Sequence, residues 1–187
     1  MATQRQVKKV KMIRKATPAK RPAMRRTSVA PTGKSPAAKL TATAEDYEGV
    51  RQVLSRYCFA LDSSNLEELS SLFHRQADFS VSFENGQKHN GRETIHSWYQ
   101  RFFEQRPREF HYMRHKLFEP CITVNKNTAT SSTYFDSEAK DAQGQVQIIT
   151  GRYDDALIKE GGQWLFKERT ITIMYYYSPG TGKEGMR

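Results

Sequence analysis

Between Phe110 and Tyr177 the chain passes through five β-type runs whose separating breaks are too short to hold a crossover. The runs cover residues 110–119, 121–125, 128–138, 146–159 and 164–177. The breaks are Pro120, Lys126-Asn127, residues 141–144 and Glu160-Gly161-Gly162. Strands joined so briefly pair antiparallel, so the second half of the chain is expected to form one antiparallel sheet. Runs this long imply a strongly curved sheet, which needs something packed inside its curve.

The residues before the sheet supply that packing. Val50, Leu54, Tyr57 and Leu61 repeat at i, i+4, i+7 and i+11, the stripe of a helix with one buried face, and Glu45, Asp46 and Glu48 suit its N-terminal end. Ser63, Ser64 and Asn65 break the pattern and cap a second helix expected over 66–73. Residues 78–84 alternate as a strand, and Asn85-Gly86 marks a hairpin turn into 87–90. Gly91-Arg92-Glu93 opens a third helix, with Ile95, Trp98, Tyr99, Phe102 and Phe103 on one broad face and Pro107 as its stop. The expected fold class is α+β, with three N-terminal helices packed on one face of a strongly curved antiparallel sheet. A sheet wrapped round a helix leaves a pocket at its open end.

Charge separates this domain from what precedes it. Residues 1–44 hold twelve Lys and Arg and no acid, whereas the rest has 18 basic and 20 acidic residues. The +10 of the whole chain is therefore a property of the tail, and the domain is not read as a nucleic-acid binder. Prolines at 18, 22, 31 and 36 and the lack of aromatic residues make residues 1–44 an expected disordered basic tail, with loose polyanion or nucleic-acid contact as its plainest role. Arg25-Arg26-Thr27-Ser28 has the form of a basic-directed kinase site. Residues 45–178 are the expected domain and 179–187 a flexible C-terminus. Cys58 and Cys121 form no short-spaced pair, and no apolar run reaches the roughly 20 residues of a membrane helix. A cytoplasmic location is expected, an organelle-targeting role of the basic N-terminus being the alternative.

Three residues carry chemistry: Tyr57 and Asp62 at the end of the first helix, and His115 in the first long strand. A carboxylate, an imidazole and a phenol suffice to remove a proton and polarise a departing oxygen. His111, Met113, His115 and Leu117 alternate onto one strand face, so His111 and Met113 are candidate substrate contacts, as is Tyr153. His111 and His115 lie about 13 Å apart along a strand, too far to share a metal ion. No phosphate-binding glycine loop or nucleophile elbow is present, and no metal or cofactor is expected.

Tyr57 through Asp62, Leu69-Ser70-Ser71-Leu72-Phe73, Gly91-Arg92-Glu93, Arg114-His115, Ala129 through Ser132, Gly151-Arg152-Tyr153-Asp154-Asp155 and Trp164 through Arg169 follow one pattern in order. It resembles the SnoaL-like pattern of the nuclear-transport-factor-2-like superfamily, nearest the scytalone dehydratase and bile-acid 7α-dehydratase branch. The resemblance implies a cone-shaped α+β barrel, of the cystatin-like kind, with a pocket in which Asp62 and His115 do acid-base work, Tyr57 assists and no metal takes part. The second active-site His of scytalone dehydratases has no counterpart in residues 131–135. The implied function is a cofactor-independent lyase or isomerase acting on a hydrophobic cyclic, polyketide-like or steroid-like molecule. The alternative is a non-catalytic ligand-binding or assembly module like the dioxygenase β subunits. Ile171, Ile173, Tyr175 and Tyr177 suit a homodimer or homotrimer through the open sheet face.

Overall fold

The computed structural model describes residues 42–179, the side chains of 107–110 excepted; the basic tail before residue 42, its Arg25-Arg26-Thr27-Ser28 motif and the end of the chain lie outside them. Helix α1, Ala44–Asp62, begins with a capping box. Thr43 Oγ1 accepts the Asp46 backbone N–H at 3.2 Å, and Asp46 Oδ2 accepts that of Thr43 at 3.1 Å. Lys159, 2.8 Å from Oδ1, together with Thr43 holds the Asp46 carboxyl down to about 2. Asn65 caps the short α2, Leu66–Ser71, by accepting the Glu68 N–H at 3.1 Å.

Strand β1, Phe73–Val81, starts where the second helix was expected to continue. Leu69, Leu72 and Phe73 are all buried, and an apolar run that short reads the same in either state. A 3₁₀ turn, Ser82–Glu84, leads to β2, Lys88–Asn90. Asn85 and Gly86 take φ of 54° and 82°, the left-handed values their dipeptide favours. Strand pairing nevertheless stops at Ser80 and resumes at Lys88, because the 3₁₀ turn widens the loop beyond a tight hairpin. Helix α3, Arg92–Glu109, continues two residues past Pro107, so the proline lies in its last turn and the helix ends soon after it rather than at it.

The other strands are β3, Phe110–Leu117; β4, Cys121–Asn125; β5, Thr128–Asp141; β6, Val146–Glu160; and β7, Gln163–Tyr177. They join β1 and β2 in the order β2-β1-β7-β6-β5-β3, with β4 sharing the β5 edge. Every pairing is antiparallel except β1 with β7, which runs parallel, Phe79 opposite Arg169. The sheet is therefore mixed rather than wholly antiparallel. Nearly the whole domain connects those two strands, so no short connection dictates their direction.

The three helices pack on the concave face of this curled sheet, and one contiguous core results. Tyr57, Phe73, Phe79, Tyr99 and Phe166 meet edge-on or tilted within 6.4 Å of one another in successive pairs. Phe135 stacks on Tyr153, 4.2 Å between centroids and 11° between planes. Gly151 makes room for that stack, since a Cβ there would lie 2.7 Å from the Phe135 ring and 2.5 Å from the Thr172 carbonyl oxygen. Gly151→Ala is expected to lower unfolding free energy by about 1–3 kcal/mol, measurable by urea titration. Cys58 is buried and Cys121 is exposed on β4. Among the described residues, no helix is long and apolar enough to cross a membrane.

Candidate active site

Asp62 is the last residue of α1, and β3 is the last strand at its edge of the sheet, with one row of backbone groups left for another partner. Asp62 provides it. Its Oδ2 accepts the His115 backbone N–H at 2.9 Å while Oδ1 lies 2.6 Å from the His115 Nδ1. One carboxylate thus grips both the strand and the imidazole. The His115 side chain is 6% exposed and that of Asp62 20%. A carboxylate at Nδ1 calls for the proton to be there, so a neutral His115 keeps its lone pair on Nε2.

The end of α1 is fastened from a third element. Arg106 of α3 donates to the carbonyl oxygens of Leu61 at 2.6 Å and Asp62 at 3.2 Å and bonds the Ser64 hydroxyl. The last turn of α1 contains no basic residue, so Arg106 supplies in space the cation its C-terminal dipole favours. Burial pulls the Arg106 pKa down, and the Asp62 charge opposes that.

His115 faces a cavity of about 120 Å³ whose walls come from α1, the 3₁₀ turn, α3 and the sheet. Trp98, Phe102, Phe135, Ile149 and Ile171 make its surface almost wholly apolar, and Ser137, which pairs with His115 across β3 and β5, is one of its few polar groups. Past Phe83, Ile149 and Ile173 the cavity opens into a wider groove.

Tyr57 and Tyr99 line the same cavity with their hydroxyls 2.7 Å apart. Two hydroxyls sharing one bond leave one hydrogen free for a further acceptor. Burial pushes the Tyr57 phenol up to about 12 and those of Tyr99 and Tyr153 well above their ordinary value, so all three are neutral donors at physiological pH. Behind them Arg169, fully buried, lies 3.9 Å from the Tyr57 ring centroid, 4.4 Å from that of Tyr153 and 4.0 Å from that of Phe166. Its Nε and Nη2 donate to the two Asp155 oxygens at 2.7 and 2.8 Å. Burial works against the guanidinium charge, and Asp155 outweighs it, raising the Arg169 pKa.

Of the residues singled out from sequence, Asp62 and His115 touch, and Tyr57, Tyr153 and Met113 line the cavity with them. His111 does not. One extra residue is inserted into β3 between His111 and Arg114, with Tyr112 at φ 55°, and the bulge turns His111 out to solvent. Arg152 and Asp154 pair with each other at 2.8 Å on the outer face. Tyr99, Trp98 and Ser137 went unmarked as site residues. The first two carried only the signal of an apolar helix face, and Ser137 becomes visible once the β3–β5 register places it opposite His115.

An α+β cone with an Asp–His pair in an apolar cavity defines the class of protein. The sequence model of the SnoaL-like domain matches residues 42–170, and the chain belongs to that family within the nuclear-transport-factor-2-like superfamily. Among solved structures, a scytalone dehydratase-like protein from Novosphingobium aromaticivorans superposes with a TM-score of 0.62 at 22% identity, over 72% of this chain and 88% of that one. Hexachlorocyclohexane dehydrochlorinase LinA type 3 from Novosphingobium barchaimii gives 0.63 at 14%, over 73% and 92%. A protein of cystatin-like fold from Nostoc punctiforme gives 0.58 at 18%, over 71% and 93%. At these identities the likeness establishes the fold. Against curated proteins, no sequence match is found.

Proposed function

We propose that this protein is a cofactor-independent lyase of the dehydratase type, acting on a neutral compound with a single hydrophobic ring. The observation that carries the reading is the 2.6 Å contact between Asp62 and His115 at the wall of an apolar cavity. His115 Nε2 takes a proton from the carbon next to a carbonyl or beside the carbon bearing the leaving group. The C–H electron pair becomes the new double bond, and the leaving group departs with its own pair. Asp62 balances the imidazolium, which can return the proton to a departing hydroxide as water. The free hydroxyl hydrogen of the Tyr57–Tyr99 pair bonds the oxygen on which negative charge grows.

The substrate class follows from the walls. Besides His115, the ionisable side chains that line the cavity are the neutral phenols of Tyr57, Tyr99 and Tyr153, so a carboxylate or phosphate at the reacting end would find no fixed cation there. An apolar cavity of about 150 Å³ takes a benzene. The 120 Å³ here favours one ring over the fused polyketide-like or steroid-like system expected from sequence. The neighbouring structures support an elimination, since one is scytalone dehydratase-like and another a dehydrochlorinase. A thermal-shift series tests this: cyclohexanone and phenol are expected to raise the melting temperature, and benzoate to leave it unmoved. A shift with benzoate alone would contradict the reading.

A further inference from the structure

A second acid–imidazole pair, its histidine buried and its carboxylate partly so, lies behind the cavity wall, and the proposed chemistry makes no use of it. Glu84 Oε2 is 2.8 Å from Nε2 of His89, which is 5% exposed, while Glu84 Oε1 accepts the Trp98 indole N–H at 2.9 Å. Trp98 forms a wall of the cavity, stacked on Phe102 with 9° between the planes and edge-on to Phe79. Glu84 belongs to the 3₁₀ turn, which is attached at both ends and presents Phe83 between them. Ser82 Oγ accepts the Ile173 backbone N–H at 2.9 Å, Phe83 stands 64% exposed where the cavity opens to the groove, and Glu84 holds Trp98. Burial raises the Glu84 pKa, yet the bonds from Trp98 and His89 bring it below the usual carboxylate range.

We propose that Glu84 is a specificity-determining residue: it sets the size of ligand the cavity admits by locking the Trp98 wall and the Phe83 mouth in one arrangement. A carboxylate can accept from the indole and from the imidazole at once, which ties α3, β2 and the turn to a single point. Without it the indole N–H loses the acceptor it has in the domain. Turning that N–H towards water then swings the ring off Phe102 and widens the cavity. This inference rests on the reading that the cavity holds the substrate and is independent of what Asp62 and His115 do there.

The test uses the full chain and two neutral ketones, cyclohexanone with one ring and 1-decalone with two fused rings. Their affinities are obtained from the concentration dependence of the melting temperature. The wild type is expected to prefer cyclohexanone by about tenfold or more. Glu84→Leu is expected to erase that preference by gaining decalone binding. Glu84→Asp, which keeps the charge but withdraws the carboxylate by one methylene, is expected to do the same. Glu84→Gln, whose carbonyl still accepts the indole N–H and whose amide still reaches His89, is expected to retain the wild-type preference. A merely structural Glu84 would lower all melting temperatures and leave the ratio of affinities alone, and that result overturns the proposal. Should Glu84→Leu fail to fold, Glu84→Asp decides. A wild type shifted by neither ketone overturns the cavity reading and this inference with it.

Discussion

Arg169→Met is expected to destabilise the domain by about 3–5 kcal/mol, among the largest effects of any single substitution here. Arg169 and Asp155 are each without solvent exposure in their side chains, and each is the other's counter-ion. Removing the guanidinium leaves a buried carboxylate with no partner and strips three aromatic rings of the cation between them. Asp155→Leu combined with Arg169→Met is expected to recover most of the loss, because an apolar pair of similar volume removes the charge and its desolvation penalty together. Denaturant unfolding of the two single variants and the double variant measures this as a cycle. The single variants are also expected to disturb the cavity, since Arg169 backs Tyr57 and Tyr153.

His115→Ala is expected to lower turnover at least about a hundredfold while the protein still folds and binds, the range in which general acid-base groups act. Asp62→Asn is the sharper variant. An asparagine can keep both contacts, its carbonyl accepting the His115 backbone N–H and its amide donating to Nδ1. The neutral imidazole must then carry its proton on Nε2, so the lone pair facing the cavity disappears although hardly an atom has moved. Turnover is expected to fall by about 10² to 10⁴ with ligand binding retained. Loss of binding in step with turnover would assign Asp62 a structural role instead.

The order of helices, the run of long strands and the Asp62–His115 pairing were legible because each rests on a local pattern or on a resemblance spread along the domain. Part of what escaped had one physical origin, a single-residue shift in strand register. The bulge before Arg114 moves His111 from the face it shares with His115 to the outer one. A second bulge, near Lys167, breaks the two-residue period of β7. Trp164 and Phe166 point inward, and after it Arg169 and Ile171 do so. Strict alternation would have put Glu168 in the core. A period-2 reading has no means of counting an extra residue, so the most buried charge in the domain could be matched only by resemblance. The parallel β1–β7 pair escaped for a different reason, as nothing local joins those strands.

The cavity sharpened the chemistry more than the sequence could. Side-chain identity suggested a base, a carboxylate and a phenol, whereas the observed packing makes the phenol one of a pair, Tyr57 with Tyr99, with one hydrogen to spare.

The central claim is that His115, held by Asp62, abstracts a proton from a carbon acid inside an apolar cavity. Deuterium exchange at the α-carbon of cyclohexanone in D₂O, followed by proton NMR, tests it without knowledge of the natural substrate. The wild type is expected to accelerate exchange, and His115→Ala and Asp62→Asn to lose at least about a hundredfold of that rate while still binding the ketone. Exchange no faster with the wild type than with His115→Ala would contradict the account.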